Sequence, residues 1–182
     1  MKSFFILLAA GNSDRFKSNI PKPYHKIGGK TLIELSLNKI KKFKEFKKII
    51  IVINKKHAKF LKKFDLQNTI IINGGKSRQE STFKALDYLQ KFKGINKVFI
   101  HDAARPNFSL NLIQKILTES KRNDVVVPIL KLQDALKQKK KNNFLNLLRD
   151  DYFLTQTPQC FNFKKIFLIH NKFKDKYNND DL

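Results

Sequence analysis

An apolar run that halts abruptly at small residues sets the terms for the whole chain. Phe4-Phe5-Ile6-Leu7-Leu8 passes into Ala9-Ala10-Gly11, and a polar loop follows through Asn12-Ser13-Asp14-Arg15-Phe16 to Ile20-Pro21-Lys22-Pro23. Continuous apolar character over residues 3–10 predicts a strand covered on both faces, as at the centre of a parallel sheet. A strand ending in glycine predicts a turn whose successive backbone N–H groups form an anion nest. Arg15 and Lys22 add two cations, which suits a nucleoside triphosphate. Taken alone, the stretch is equally an ordinary strand-to-loop turn. It lacks the Gly-Lys-Ser/Thr of a P-loop and the three glycines of the dinucleotide fingerprint.

The remaining chain keeps this rhythm. Strands are predicted over residues 48–54, 69–73, 97–101 and 124–130, each an apolar, largely β-branched run. Between them lie helical patterns: one begun by Thr31 with Glu34 as a capping box, a short one through Ala58, Leu61 and Phe64, one over 77–92 begun by Ser77 and Glu80, and one over 109–121 capped by Ser109. Such alternation argues an α/β fold with a parallel sheet, right-handed crossovers and ligands beyond the carboxyl ends of the strands. Residues 131–149, polar and lysine-rich at their centre, predict a hairpin arm. Residues 155–161 predict a structured loop, and Asn162 a cap for a last helix through Phe173.

At 182 residues, 41% of them hydrophobic, the chain suffices for one domain with a core. No apolar run is long enough to span a bilayer. The N-terminal run passes into a poor cleavage context for a signal peptide, so a cytoplasmic location is expected. One cysteine, Cys160, excludes an internal disulfide and a cysteine-based metal site. The formal net charge of +23 attracts phosphorylated substrates in general. It also raises a basic nucleic-acid-binding domain as an alternative of another class. The excess is mostly scattered lysine, alongside abundant asparagine, isoleucine and phenylalanine, a combination that AT-rich codons favour. No aromatic-interleaved basic cluster suggests RNA binding, so neither nucleic acid nor membrane is expected as a partner.

Two further loops carry chemistry. Gly74-Gly75-Lys76-Ser77-Arg78 runs into a helix N-terminus, which favours anions or a polar base edge. A capping box explains Ser77 and Glu80 but neither Arg78 nor the paired glycines. His101-Asp102-Ala103-Ala104-Arg105-Pro106 puts a carboxylate and a guanidinium at a strand end. Asp102 there can hold Mg2+ through water or substrate oxygens, or form a stiffening bridge to arginine. His101 has no evident partner and is taken as structural.

In order, these motifs resemble the 2-C-methyl-D-erythritol 4-phosphate cytidylyltransferase family. Ala9-Ala10-Gly11, Arg15-Phe16, Pro21-Lys22, Gly74-Gly75, Arg78, Ser81, His101-Asp102-Ala103-Ala104-Arg105-Pro106 and Thr157-Pro158-Gln159 carry the likeness. The resemblance implies a Rossmann-like, mostly parallel sheet with helices on both faces, of the nucleotide-diphospho-sugar transferase type, plus a β-arm around 131–149. It implies transfer of CMP from CTP to 2-C-methyl-D-erythritol 4-phosphate, with release of pyrophosphate and Mg2+ as cofactor. Arg15 and Lys22 match the catalytic cations, Ala9, Ala10 and Gly11 the triphosphate cradle, and Gly75 and Ser81 the cytosine-reading positions. Asp102 and Arg105 match the substrate and metal neighbourhood, and Arg149 and Thr157 two substrate-phosphate positions. The arm implies a homodimer in which Arg149 reaches across. Ribitol 5-phosphate or another sugar phosphate is the alternative acceptor.

Departures from the pattern are Ser13, where a second glycine is usual, and Ala135, where threonine is usual. The family continues beyond Asn179-Asp180-Asp181 with strands carrying an aspartate and a lysine. Residues 1–182 are therefore expected to be an incomplete nucleotidyltransferase domain or an inactive fragment, with a fused cyclase domain as a further possibility.

Overall fold

The computed structural model describes residues 1–13, 16–62 and 64–176. In chain order its elements are β1 (Ser3–Ala9), β2 (Lys26–Ile27), β3 (Lys30–Thr31), α1 (Leu32–Ile40), β4 (Phe46–Ile53), β5 (Thr69–Asn73), α2 (Arg78–Leu89) and β6 (Lys97–Asp102). There follow α3 (Leu110–Glu119), β7 (Val125–Val126), β8 (Ile129–Lys131), β9 (Leu136–Lys140), β10 (Asn143–Leu147), β11 (Phe153–Thr155), β12 (Gln159–Asn162) and α4 (Phe163–Phe173).

The main sheet has the order β5-β4-β1-β6-β12-β7. Strands β5, β4, β1 and β6 run parallel, and β12 pairs antiparallel with both β6 and β7. All seven residues of β1 are buried, because alternate side chains enter opposite cores. Phe5, Leu7 and Ala9 join Ile33, Leu37 and Ile40 of α1 and Ile113, Ile116 and Leu117 of α3. Phe4, Ile6 and Leu8 join Ala85, Leu86 and Leu89 of α2 and Phe163 of α4. Helices thus cover both faces. Each leucine, isoleucine or phenylalanine among them, when fully buried, contributes about 1.5–3 kcal/mol to holding the layers together.

Helix starts follow the expected chemistry. Thr31 and Glu34 form the complete reciprocal box: Glu34 N–H donates to Thr31 Oγ1 at 3.3 Å, and Thr31 N–H donates to Glu34 Oε2 at 2.8 Å. Ser77 accepts from Glu80 N–H at 3.1 Å, but the Glu80 carboxylate turns instead to Lys76 N–H at 2.6 Å. Ser109 and Asn162 cap α3 and α4. The helix expected around Ala58 is a 3-10 segment, Lys55–Leu61.

Two expectations are corrected. Residues 124–130 are not one strand: Val125–Val126 stay in the main sheet, while Ile129–Lys131 leaves it to pair with β11. Pro128 stands at the break, with no N–H to give to a ladder. Within the expected loop 155–161, residues from Gln159 onward form β12, seated against β6 with Cys160 fully buried opposite Phe99. Polar residues at both ends of this short strand mask it in the sequence. The arm forms as expected, β9 and β10 making an antiparallel hairpin.

Candidate active site

Register places the strand ends. Leu8 pairs with Asp102, Ala9 with Ile53, and Ile53 with Asn73. The loops after β1, β4, β5 and β6 therefore leave one edge of the sheet together, as expected for three of them. Direct bonds lock the arrangement: Ala103 N–H donates to Leu8 O at 2.9 Å, Gly74 N–H to Ile53 O at 2.8 Å, and Asn54 Nδ2 to Asn12 Oδ1 at 2.9 Å.

At the first loop, Ala9 is buried, Ala10 half-buried and Gly11 exposed with open space around it. Ser13 has a φ of 63°, in the left-handed region where glycine is the easiest occupant. Its Oγ accepts from Lys22 N–H at 3.0 Å. Lys22 opens a 3-10 turn, Lys22–Tyr24, whose Tyr24 is buried and stacked on Phe60 at 4.7 Å. Burial of its hydroxyl pushes the Tyr24 pKa up to about 12. The exposed Lys22 side chain thus rides on an anchored backbone. Arg15 lies outside the described residues.

The second loop is built for close approach. A Cβ on Gly74 would overlap Ala10, and one on Gly75 would overlap the Glu80 side chain. Gly75 N–H donates to Ser81 Oγ at 3.0 Å, which brings the two expected base-reading residues together. Glu80 is held below the usual carboxylate range by the hydrogen bond from Lys84, then by Lys76 N–H.

The third loop carries the charge. Asp102 bridges two guanidinium groups: Arg78 Nε to Oδ1 at 3.0 Å and Arg105 Nε to Oδ2 at 3.3 Å. Two cations share one anion, and their outer N–H groups leave a net positive fork. Arg105 also reaches Gln156 Oε1 at 3.4 Å. Beneath lies His101, fully buried, its ring edge-on to Phe108 at 4.6 Å. Nε2 is 3.1 Å from Arg105 O, and Nδ1 is 2.7 Å from Thr157 Oγ1. Burial pushes the imidazole down to about 4.

The fold therefore gathers Ala9, Ala10, Gly11, Lys22, Gly75, Ser81, Asp102, Arg105 and Thr157 around one edge. Arg149 is not among them: it lies after β10, exposed, donating to Gln133 O at 2.7 Å. Arg78 and Gln156 were not assigned in the sequence. The mismatch between Arg78 and the capping box was the available signal for the first; nothing marked the second. Among the described residues no three His, Cys, Asp or Glu side chains could share an ion. With both Asp102 oxygens turned to arginine, the donor set does not fit a protein-built metal centre.

A sequence model of the family described as IspD, 2-C-methyl-D-erythritol 4-phosphate cytidylyltransferase, matches residues 4–181. The chain is 48% identical over 180 residues to the bifunctional enzyme IspD/IspF of Pelagibacter ubique, covering 99% of this chain and 48% of that protein. It is 31% identical over 180 residues to the 2-C-methyl-D-erythritol 4-phosphate cytidylyltransferase of Thermosipho africanus, covering 96% of this chain and 79% of that one. The chain thus spans about half the length of the bifunctional relative. Among solved structures, the Francisella tularensis 2-C-methyl-D-erythritol 4-phosphate cytidylyltransferase superposes with a TM-score of 0.81 at 28% identity, covering 97% of this chain and 79% of that one. The bifunctional IspDF of Campylobacter jejuni gives 0.79 at 30% identity, covering 94% and 44%. With the three loops gathered at one sheet edge as the motifs required, the chain belongs to the 2-C-methyl-D-erythritol 4-phosphate cytidylyltransferase family.

Proposed function

We propose that this chain transfers CMP from CTP to 2-C-methyl-D-erythritol 4-phosphate in isoprenoid precursor synthesis. A phosphate oxygen of the acceptor attacks the α-phosphorus, the bond to the β-phosphate oxygen breaks, and pyrophosphate leaves. No covalent enzyme intermediate is required. The work of the side chains is positioning and charge stabilisation around the α-phosphorus.

The observation that carries this assignment is the bridged pair Arg78–Asp102–Arg105 beside the apposed Ala10 and Gly74 loops. The loop entered through Ala9, Ala10 and Gly11, with Lys22 and Arg15, suits the triphosphate. Gly75 and Ser81 suit the cytosine edge, and the outer N–H groups of Arg78 and Arg105 suit the acceptor phosphate. Mg2+ is proposed as cofactor; arriving with the triphosphate, it would neutralise charge there.

A homodimer through the arm is part of the proposal. Leu130, Phe144, Leu148 and Leu154 are all at least half exposed in and beside it, which is costly for a lone chain. A partner's arm would bring Arg149 to the site. No described helix is long and apolar enough to cross a membrane, and the proposed place of work is the cytoplasm.

The test is pyrophosphate release by the intact protein from CTP, Mg2+ and 2-C-methyl-D-erythritol 4-phosphate, beside ribitol 5-phosphate and beside UTP. Turnover should be highest with CTP and the methylerythritol phosphate. Preference for ribitol 5-phosphate would reassign the acceptor. Salt-sensitive DNA binding without turnover would support the nucleic-acid alternative.

A further inference from the structure

We infer that His101 is a positioning residue that fixes the Thr157 hydroxyl as a hydrogen-bond acceptor, so that Thr157 reads a hydroxyl of the polyol and not its phosphate. The inference rests on the cytidyl-transfer proposal for the identity of the substrate, and on hydrogen-bond geometry for its direction.

The His101 ring is fully buried against Phe108 and Phe5. Its Nε2 faces Arg105 O at 3.1 Å. A carbonyl oxygen only accepts, so Nε2 carries the hydrogen. The ring nitrogens face that carbonyl and the Thr157 hydroxyl, so neither meets a carboxylate. A buried imidazolium without an anion at its donors is costly, and the neutral ring follows. Nδ1 is then a bare lone pair. Thr157 Oγ1 stands 2.7 Å from it, so the hydroxyl must be the donor.

A threonine hydroxyl has one hydrogen and two lone pairs. Here the hydrogen is spent inward. Thr157 itself is only half-buried, and what it offers outward is acceptor capacity alone. A phosphate dianion also offers only acceptors, so the two would repel. An alcohol group of the acceptor substrate has the hydrogen that Oγ1 lacks. The arginine fork on Asp102, close by through Arg105 and Gln156, supplies the donors that a phosphate needs. The two contacts divide the substrate: guanidinium groups for its phosphate, Thr157 for its polyol.

Two measurements on the intact protein test this. Nitrogen-15 NMR of histidine-labelled protein should show Nε2 protonated and Nδ1 unprotonated in the His101 ring; a protonated Nδ1 would overturn the inference. Kinetics would use methylerythritol phosphate analogues each lacking one hydroxyl. Thr157→Val should raise KM for the parent about tenfold with a smaller effect on kcat, and Thr157→Ser should restore it. For one analogue of the series Thr157→Val should cost nothing further; an equal extra loss with every analogue would overturn the inference. His101→Asn, whose amide oxygen can stand in for Nδ1, should keep the discrimination that His101→Leu loses. Should His101→Leu fail to fold, the spectrum and the Thr157 variants still decide. Absence of CMP transfer by the unsubstituted protein counts against the proposed function, whereas a protonated Nδ1 in an active protein counts against this inference alone.

Discussion

Ala10 and Gly74 touch where the first and second loops meet: a Cβ added to Gly74 would overlap that of Ala10 and stand 2.8 Å from Ser81 Oγ and 3.2 Å from Val52 Cγ1. None of these neighbours is a flexible tip. Gly74→Ala should destabilise by about 1–3 kcal/mol, the usual range for overpacking, and weaken CTP binding. Gly75→Ala meets the Glu80 side chain first. That carboxylate can swing away at the loss of its bonds to Lys76 N–H and Lys84, a cost of about 1 kcal/mol. Urea unfolding should rank Gly74→Ala as the more damaging, and the reverse order would show that the loops do not meet as described.

Asp102 holds two arginines in place rather than storing stability. Both partners are about half exposed, at 47% for Arg78 and 54% for Arg105, so solvent screens the pairs. Asp102→Asn should cost less than about 1 kcal/mol of folding stability. It should lower turnover at least about tenfold, because misplaced guanidinium groups no longer meet the substrate in one geometry. Thermal unfolding and pyrophosphate release, measured side by side, check the separation.

The sequence made the parallel sheet, both helix-covered faces and the meeting of three loops legible, because long apolar runs and capping residues report local physics directly. Thr31 with Glu34 formed the whole box expected. Glu80 did not, because its carboxylate found Lys76 N–H and Lys84 nearer to hand. β12 was missed because its strand character comes from pairing with β6, not from Gln159 or Asn162 themselves. His101 was taken as structural for want of a partner. Its partners, Arg105 O and Thr157 Oγ1, lie 4 and 56 residues away, and the second separation is beyond the reach of any motif. Gln156 likewise acquires meaning only once β12 brings its loop to Arg105.

His101 makes stability depend on pH. Its pKa is lowered in the fold from 6.5 to about 4 by burial, so the unfolded chain binds the extra proton between these values. Stability is full above about pH 6.5 and falls as pH drops toward 4, by about 3 kcal/mol from this group. His57 and His170 are lowered too, chiefly by burial, with the same sign. The lowered carboxylates Asp65, Glu80 and Asp124 start from 3.8 to 4.5 and lose their contribution only as pH falls through and below those values, at the acid end of that window. Urea midpoints between pH 4.5 and 7 should rise with pH, and His101→Asn should flatten most of that slope.

The arm supplies a test of assembly. Leu148 is 79% exposed and Phe144 64% exposed, next to Arg149, which the single chain leaves away from the Asp102 fork. Under the proposed homodimer, Leu148→Lys with Phe144→Lys should shift sedimentation to the monomer and abolish most turnover without lowering the unfolding midpoint of the main domain. A protein that sediments as a monomer before substitution, yet is fully active, would remove the arm from the mechanism.

Ser13 occupies its left-handed conformation at a cost and repays part of it through Lys22. A non-glycine residue at φ 63° bears about 1–2 kcal/mol of strain. The Oγ bond to Lys22 N–H returns about 1 kcal/mol. Ser13→Gly exchanges one for the other and should leave stability within about 1 kcal/mol of the starting value, whereas Ser13→Ala keeps the strain, loses the bond and should cost about 1 kcal/mol. Both free the backbone at Lys22, so both should lower turnover more than they lower stability. Lys22→Ala, at an exposed position, should change stability by no more than about 0.5 kcal/mol. It should cut turnover by about a hundredfold or more if its ammonium meets developing charge on the triphosphate. Equal kcat in Lys22→Ala and the unsubstituted protein would leave the anchored backbone as the only contribution of this turn.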